Sequence, residues 1–348
     1  MPALVACGAL LAPAAPASAA TPAPATGYDV SWPQAADRVL PASPAFAIVG
    51  LNDGVATGTN RSLAPQLAWA STARGAGHAG FEVYVNTADP GPARASWWPT
   101  SDRTRTGTRV RSPYGHCSGG ATRPCAWVYG ASLVGDDLHR SPVVTAASAS
   151  RWWLDVEAEN TWSSVPTRNR AVLEGMTSRL VKAGARVGLY ALPHEFADLI
   201  GPVPADSPLS SLPSWIAGAA DRAHAATVCT RPPLTRGRLQ LVQWRGADAV
   251  GPIDQDLACA VLARTPKPEV TGVRTARHVL TAHAGTWSPA ARLAYRWTRD
   301  GEPIASATHP THRTTKKDAG HALRVEVTGT AAGFSRATTT SKPVRVHR

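Results

Sequence analysis

Two acidic residues, Asp155 and Glu157, stand at the carboxyl end of the apolar segment Trp-Trp-Leu-Asp-Val-Glu. Side chains alternate along a strand, so both carboxylates would point to the same face, about 6.6 Å apart along the backbone. The charge of one carboxylate raises the pKa of its neighbour, so one can stay protonated while the other stays ionised. That division of roles is the chemistry of glycosidic bond cleavage. A helix cap or a salt bridge at a strand end is the structural alternative.

The acidic pair needs a buried strand and a fold that opens at the carboxyl end of that strand. Short apolar runs alternate with amphipathic stretches over residues 27–263, which is typical of parallel strands covered by helices. Strands are predicted at residues 45–50, 80–86, 151–157, 185–190, 214–217 and 239–244, and helices at 63–75 and 168–183.

Seven or so strands in about 235 residues predict a mixed α/β fold, a TIM-like (β/α) barrel, complete or shortened. Such barrels hold their active sites at the carboxyl ends of the strands, where the acidic pair would lie. A doubly wound open sheet is the alternative, and the lack of a Gly-rich phosphate loop disfavours it.

After the stiff segment Thr-Pro-Lys-Pro at residues 265–268, the sequence changes from mixed strand and helix patterns to short alternating runs. A hairpin turn at Asp300-Gly301 and short alternating runs predict a small all-β sandwich. These runs lie at residues 279–282, 293–297, 323–328 and 344–346. The predicted organisation is a signal peptide at 1–26, a barrel at 27–263, a linker at 264–268 and a sandwich at 269–348.

The beginning of the chain indicates export. Residues 1–26 are rich in Ala and Pro, with an apolar centre and the small residues Ala-Ser-Ala at 17–19, which is typical of a secretory signal with its cleavage motif. No later stretch is long and apolar enough to cross a bilayer. We therefore expect a secreted protein, extracellular or associated with the cell wall, and a monomer.

Four cysteines remain once such a signal is removed, and four cysteines allow three pairings. Proximity along the chain favours disulfides between Cys117 and Cys125 and between Cys229 and Cys259, in an oxidising compartment. A zinc site is the alternative, and the lack of a CxxC motif or a His pair disfavours it. Because the histidines are scattered, neither a metal nor a cofactor is expected.

The positive charge is concentrated near the C-terminus. Residues 264–348 hold 15 Lys and Arg against 5 Asp and Glu, a net +10 of the chain's +12. This segment is expected to favour anionic wall polymers rather than nucleic acid, which an exported protein rarely meets. The candidate basic face consists of Arg296, Arg299, Lys316, Lys317, Arg324 and Arg336. A spacer with an ordinary basic surface is the alternative.

The opening segment Gly-Tyr-Asp-Val-Ser-Trp-Pro-Gln, residues 27–34, resembles the opening motif of the glycoside hydrolase family 25 lysozymes. Later motifs follow in the family's order: Leu154-Asp155-Val156-Glu157, Gly188-Leu189-Tyr190, Trp215-Ile216-Ala217, Gln243-Trp244 and Ile253-Asp254-Gln255-Asp256. The resemblance implies an N-acetylmuramidase that cleaves the β-1,4 bond after N-acetylmuramic acid in peptidoglycan.

The same resemblance implies roles for individual residues. Glu157 would be the general acid, with Asp155 as its partner and Asp29 in the same cavity. Asp254 or Asp256 would close the cavity from the last strand. The walls of the sugar site would be formed by Tyr84, Tyr190 and Trp244.

Departures from the family pattern leave a second hypothesis open. Residues 84–88, Tyr-Val-Asn-Thr-Ala, stand where the family usually has Tyr-His-Phe, and an insertion covers residues 93–125. The alternative is therefore a catalytically inactive protein that binds cell-wall glycan on the same barrel. Over about residues 269–346 the chain resembles bacterial immunoglobulin-like repeats, through Gly-Thr-Trp-Ser-Pro at 285–289 and Tyr-Arg-Trp-Thr-Arg-Asp-Gly at 295–301.

Overall fold

The structure is a computed structural model that describes residues 25–30, 39–42, 44–73, 81–142, 144–248 and 251–347. The predicted signal peptide lies outside the described residues except for residues 25 and 26. Part of the opening motif, residues 31–34, also lies outside them.

Eight strands close into a barrel in chain order. They are β1 (Thr26–Val30), β2 (Ala47–Gly50), β3 (Glu82–Asn86), β4 (Trp152–Val156), β5 (Val187–Ala191), β6 (Ser214–Ala219), β7 (Leu239–Asp248) and β8 (Gly251–Ala258). Neighbours from β1 to β7 pair in parallel, whereas β8 runs antiparallel to both β7 and β1.

The mixed α/β fold with a closed barrel agrees with the sequence prediction, but its last unit differs. Only two residues separate β7 from β8. A parallel crossover needs a dozen or more residues, so the barrel closes with a hairpin instead of another strand–helix unit.

Six helices are described in the part of the barrel that the structure covers: α1 (Leu63–Ala70), α2 (Gly91–Arg94), α3 (Arg123–Arg140), α4 (Pro166–Lys182), α5 (Pro193–Ile200) and α6 (Arg222–Val228). The predicted helices at 63–75 and 168–183 correspond to α1 and α4. The long helix α3 was not predicted. It packs against α4 where Gly130 faces Val172 and Gly175 faces Trp127; a Cβ on either glycine would lie 2.0 Å from a backbone oxygen of the other helix. The two glycines therefore permit close contact between the helices.

An aromatic column fills the barrel interior and forms the floor beneath its open end. The Trp215 ring packs edge-to-face on Trp153 at 5.6 Å and on Tyr190 at 4.5 Å between centroids. Trp153 fits because β5 carries Gly188 beside it, where a Cβ would come within 2.4 Å of the indole. The lower barrel is therefore solid, and only its carboxyl end can hold a ligand.

The chain beyond the barrel forms two sheets around a second core. One sheet contains β10 (Glu269–Gly272), β11 (Val279–His283) and β14 (Thr311–Arg313), and the other contains β12 (Arg292–Arg299), β13 (Glu302–Pro303), β15 (Ala322–Thr330), β17 (Ala337–Thr340) and β18 (Val344–Arg345). Trp297 is fully buried between them. The observed strands include every predicted one, while the immunoglobulin-like classification and the domain boundaries stay predictions.

The second region also contacts the barrel. Strand β9 (Ala260–Val261) pairs in parallel with β16 (Phe334–Ser335). The Gly333 N–H donates to the Ala226 carbonyl at 2.8 Å, and the Ser335 hydroxyl donates to the Leu239 carbonyl at 2.5 Å. Main-chain groups of α6 and β7 thus hold the second region in place.

Both disulfides predicted from proximity are present, Cys117–Cys125 and Cys229–Cys259. The first closes a loop in front of α3, and the second ties the end of α6 to the end of β8. Among the described residues, no helix is both long and apolar enough to cross a bilayer.

Candidate active site

The open end of the barrel holds a cavity of about 560 Å³. Strand β4 alternates as the sequence predicts: Trp153 packs inside the barrel, Trp152 and Leu154 pack outward, and Asp155 and Glu157 reach the cavity. Carboxylate, aromatic and amide side chains lining it are Asp29, Tyr84, Asn86, Asp155, Glu157, Tyr190, Trp215, Gln243, Trp244 and Asp254. The described lining contains one cation, Arg245.

Asp155 is the deeper of the two carboxylates on β4, with 3% of its surface exposed. The register of β3 against β4 places Asn86 beside it, and the Asn86 amide donates to Asp155 Oδ2 at 2.7 Å. The other oxygen, Oδ1, is buried and has no hydrogen-bond partner among the described residues. Burial, followed by the charges of Glu157 and Asp29, raises the pKa of Asp155 well above its usual range.

Asn86 is itself held from outside the barrel. Its backbone N–H donates to Asn52 Oδ1 at 2.8 Å, and the Asn52 amide donates to Asp137 Oδ1 on α3 at 3.0 Å. Arg140, one turn further along α3, forms an ion pair with the same Asp137 oxygen at 2.8 Å. Helix α3 therefore fixes the strand end that positions Asp155.

Glu157 lies at the rim of the cavity and is only partly buried. Burial and the charges of Glu159 and Glu195 raise its pKa to about 7. Glu195 lies in the first turn of α5 and accepts the Ala158 N–H at 2.8 Å, so it also fixes the backbone next to Glu157. A group with this pKa holds a proton in a large fraction of molecules at neutral pH.

A hydrogen-bonded chain joins Glu157 to the opposite wall. The Tyr190 hydroxyl lies 3.4 Å from Glu157 Oε1 and donates to Gln243 Oε1 at 2.9 Å. The Gln243 amide donates to Asp29 Oδ2 at 2.8 Å. Burial and the charge of Asp254 raise the pKa of Asp29 to about 7. Two carboxyl groups on opposite walls can therefore exchange protons with solvent in the same pH range.

The two predicted acids on β8 lie in different places. Asp254 lines the cavity at its rim, where Arg245 lies 3.7 Å away. Asp256 is fully buried beneath the cavity and accepts the Trp215 indole N–H at 2.7 Å. Burial and the charge of Asp29 raise the pKa of Asp256 well above its usual range. Asp256 supports the floor and does not reach the space a ligand would occupy.

The structure thus brings together most of the predicted site residues: Asp29, Tyr84, Asp155, Glu157, Tyr190, Trp244 and Asp254. Sequence reasoning missed three lining residues, Asn86, Trp215 and Gln243, as parts of the polar network. Position was an available signal for Asn86, the last residue of β3, whereas Trp215 is the second residue of β6 and Gln243 lies in the middle of β7. No group of three or more potential metal ligands of the His, Cys, Asp and Glu types is found within the described ranges.

No known family profile matches the chain, and no curated protein matches its sequence. Solved structures similar to it include a bacterial lysozyme and a muramidase. One is the bacterial lysozyme from Streptomyces coelicolor, with 13% identity, coverage of 67% of this chain and 90% of the lysozyme, and a TM-score of 0.41. The other is a muramidase from Trichobolus zukalii, with 14% identity, coverage of 67% and 92%, and a TM-score of 0.39. Likeness at this level carries no argument about function.

Proposed function

We propose that this protein is a secreted glycoside hydrolase of the muramidase type, which cleaves β-1,4 bonds in peptidoglycan with Glu157 as general acid. The observation that carries the proposal is the pair Asp155 and Glu157 on one strand at the open end of the barrel. Glu157 has a pKa of about 7 at the rim of a cavity with aromatic walls. A general acid works best when its pKa lies near the working pH.

The hydrogen-bonded chain supports a protonated Glu157. The Gln243 amide nitrogen donates to Asp29, so its oxygen faces Tyr190 and must accept the Tyr190 hydrogen. Tyr190 has only one hydrogen, so its oxygen can accept a hydrogen bond from the hydroxyl of a protonated Glu157. This arrangement holds the Glu157 proton at the rim, where the glycosidic oxygen of a bound chain would lie.

Asp155 would act on the sugar at the reacting carbon. Its unpartnered Oδ1 is suited to accept an N–H from the 2-acetamido group of the substrate. The acetamido oxygen would attack the anomeric carbon while the glycosidic bond breaks and Glu157 protonates the leaving oxygen. Water would then open the cyclic intermediate and give its proton to Glu157. Substrate-assisted glycosidases of this kind differ from the scheme with a carboxylate nucleophile.

The ionisation of the site differs from the simple expectation of an ionised Asp155 beside a protonated Glu157. Burial raises the pKa of both groups, and Asp155 lies deeper. In our proposal, ligand binding makes Asp155 the ionised group and leaves Glu157 as the protonated one. An N–H donor at Oδ1 and positive charge developing at the anomeric carbon both favour the ionised form of Asp155.

The aromatic walls of the acidic cavity suit a sugar ring, which has apolar faces and polar edges. Tyr84, Trp244 and Trp215 offer aromatic surfaces beside the carboxylates. Sugar rings carry C–H groups on one face and hydroxyls at the edges, so aromatic faces and carboxylates can be satisfied together. Export fits the two disulfides, which persist in oxidising compartments.

The test compares Glu157→Gln with the matched variant Glu159→Gln, which makes the same change in the exposed loop two residues on. We expect Glu157→Gln to lose about 10²–10⁴-fold in the release of reducing ends from purified walls. Glu159→Gln should lose only a few-fold, because Glu159 acts on Glu157 through its charge alone. Equal thermal melting temperatures would show that both variants fold.

Two outcomes would contradict the proposal. If Glu157→Gln keeps full activity, Glu157 is not the acid. If the wild-type protein sediments with walls but releases no reducing ends, the alternative of an inactive wall-glycan-binding protein is correct. The anomeric configuration of the first product distinguishes retention, which acetamido attack requires, from inversion.

A further inference from the structure

A second cavity lies on the flank of the barrel, between the insertion that precedes α3 and the carboxyl end of α4. Its volume is about 750 Å³. We call it the flank cavity, and its charged or titratable lining residues are Asp102, Arg109, Arg111, His116, Arg179 and Lys182. Helix α4 starts at the open end of the barrel and ends at the start of β5, so this cavity is remote from the acidic one.

The cations of the flank cavity lack carboxylate partners. Within the described residues, Arg109, Arg111, Arg179 and Lys182 form no ion pair within 4 Å of a carboxylate, and Arg179 Nε is buried without a hydrogen-bond partner. The single carboxylate of the lining, Asp102, is already bonded to the His116 ring and the Cys117 N–H. The bond to His116 and the charge of Arg109 lower the pKa of Asp102. Arg111, Arg179 and Lys182 have no carboxylate within ion-pair distance among the described residues and repel each other.

The wall opposite α4 is rigid. The Val110 N–H donates to the Asp102 carbonyl at 2.9 Å, and the Tyr114 N–H donates to Ser112 Oγ at 3.1 Å. The Tyr114 hydroxyl bonds to Glu174 on α4, and the Arg123 guanidinium stacks 3.7 Å above the Tyr114 ring. The Cys117–Cys125 disulfide closes the same loop onto the start of α3. Arg109 and Arg111 are therefore presented by a fixed backbone toward α4.

We propose that the flank cavity binds a phosphodiester-linked polymer. Its cations come from two facing walls, residues 109–111 and the last turn of α4. The two charged oxygens of a phosphodiester diverge from a tetrahedral phosphorus that also carries two ester oxygens, so cations from both walls can surround one linkage. Arg guanidinium groups make paired hydrogen bonds with phosphate.

A polyol phosphate fits the cavity better than a nucleic acid. Proteins that bind single-stranded nucleic acid stack bases on accessible aromatic rings. The indole in the lining, Trp127, has 6% of its surface exposed and offers no stacking face, and the exposed His116 ring is bonded to Asp102. The recognised group is therefore the charged linkage rather than a base.

The C-terminal region is the rival location, and part of its basic face is already occupied. Arg296 pairs with Glu326 at 2.6 Å, and Arg299 pairs with the buried Asp318 at 2.6 Å. The Arg324 guanidinium donates to the Ser341 carbonyl at 3.1 Å. Lys316 and Lys317 are exposed and form no ion pair among the described residues. They provide a matched comparison for the flank cavity.

The test measures binding of a labelled oligomer of about ten glycerol phosphates to the full chain at low and physiological salt. The variant is Arg111→Gln with Lys182→Gln, both exposed, and the control is Lys316→Gln with Lys317→Gln, which removes the same charge. We expect Kd to rise at least about tenfold in the first variant and less than about twofold in the second, with a shallower salt dependence in the first. Unchanged melting temperatures verify folding.

Four results would overturn the proposal. Equal losses in both variants would mean that net charge alone drives binding, and a loss only in the control would place the site in the C-terminal region. Binding of a carboxylate oligomer of equal length and charge as tight as that of the phosphate oligomer would refute phosphate recognition. Tighter binding of a single-stranded oligodeoxynucleotide would indicate a nucleic-acid site instead.

Discussion

The two cavities of this protein collect charges of opposite sign under different physical conditions. The acidic cavity buries two of its carboxyls deeply, with 5% of Asp29 and 3% of Asp155 exposed. The flank cavity keeps Arg109, Arg111 and Lys182 at the surface. Burial of like charges is tolerable for carboxyl groups because their pKa values can rise until the protons neutralise them. Arginine has no such route near neutral pH, so its charges stay in contact with water.

The carboxyl groups of the acidic cavity carry a charge that their surroundings can adjust, whereas the arginines of the flank cavity carry a fixed charge. In the acidic cavity, the environment determines how many protons are held, and a ligand can redistribute them. In the flank cavity the arginine charges are constant, and a ligand can only neutralise them. The first arrangement suits proton transfer, and the second suits binding of an anion.

After that of Glu157, the largest expected effect comes from Asn86, the side-chain donor to Asp155. Asn86→Leu leaves the buried carboxyl without that donor, which disfavours the ionised form that the proposed mechanism needs. We expect the rate of reducing-end release to fall about 100-fold, as when one donor is removed from a preorganised site. Binding of the phosphate oligomer at the flank cavity should not change.

Asn86→Asp distinguishes positioning from mere packing, because it keeps the shape of the side chain. The carboxyl group introduced by this substitution could donate as the amide does when it is protonated, and it would repel Asp155 when it is ionised. Activity of this variant should therefore recover as pH falls below about 6, whereas Asn86→Leu should show no such recovery. Parallel pH profiles for the two variants would refute a donor role for Asn86.

The next effect is a loss of folding stability as pH rises, caused by buried carboxyl groups of the acidic cavity and its floor. Asp29, Glu157 and Asp256 have raised pKa values in the folded state. The folded protein then binds more protons than the unfolded chain between about pH 4 and 7, so their contribution to stability is full below about pH 4 and is lost as pH rises. Asp256→Asn mimics the protonated acid. Its stability advantage over wild type should grow by up to about 1.4 kcal/mol per pH unit above pH 4.

Lys182→Gln in the flank cavity is the control for this effect. Its change in the free energy of unfolding should be the same at pH 5 and pH 8. Denaturant titrations at several pH values measure both variants. A pH-independent effect of Asp256→Asn would show that Asp256 is ionised in the fold.

The smallest expected effect is that of Glu195, whose charge raises the pKa of Glu157. Glu195→Gln keeps an acceptor for the Ala158 N–H and removes the charge. The pH at which activity is lost on the basic side should move down by less than about one unit, with a rate change of only a few-fold. Asp198→Asn, on the same helix and exposed, should leave the profile unchanged. An upward shift in Glu195→Gln would contradict the electrostatic role.

The sequence predicted those features that depend on local pattern. Alternation along residues 151–157 placed Asp155 and Glu157 on one face, and the short separation of the cysteines gave both disulfides. The continuous apolar runs predicted parallel strands because both faces of such strands are buried. The hairpin between β7 and β8 escaped prediction, since a parallel continuation had been assumed.

What the sequence did not reveal depends on pairing between distant segments. Asn86 and Asp155 are 69 residues apart and meet only because β3 and β4 pair in one register. Helix α3 contains Gly130 and Gly135, which weaken helical propensity, and its contact with α4 overrides that preference. The flank cavity combines arginines of an irregular loop with the end of α4, so no periodic pattern indicated it.

Because β9 and β16 belong to one chain, each strand meets the other at a high effective concentration. Strand β9 and the first strand of the C-terminal region, β10, are only seven residues apart along the chain, so the strand partner is always close by. Such short tethers correspond to roughly millimolar local concentrations. A two-residue strand pair can therefore persist within one molecule although it would be too weak to join two separate ones. A single cut between residues 262 and 268 should turn this contact into a bimolecular one, and at micromolar protein the C-terminal region would then dissociate by dilution.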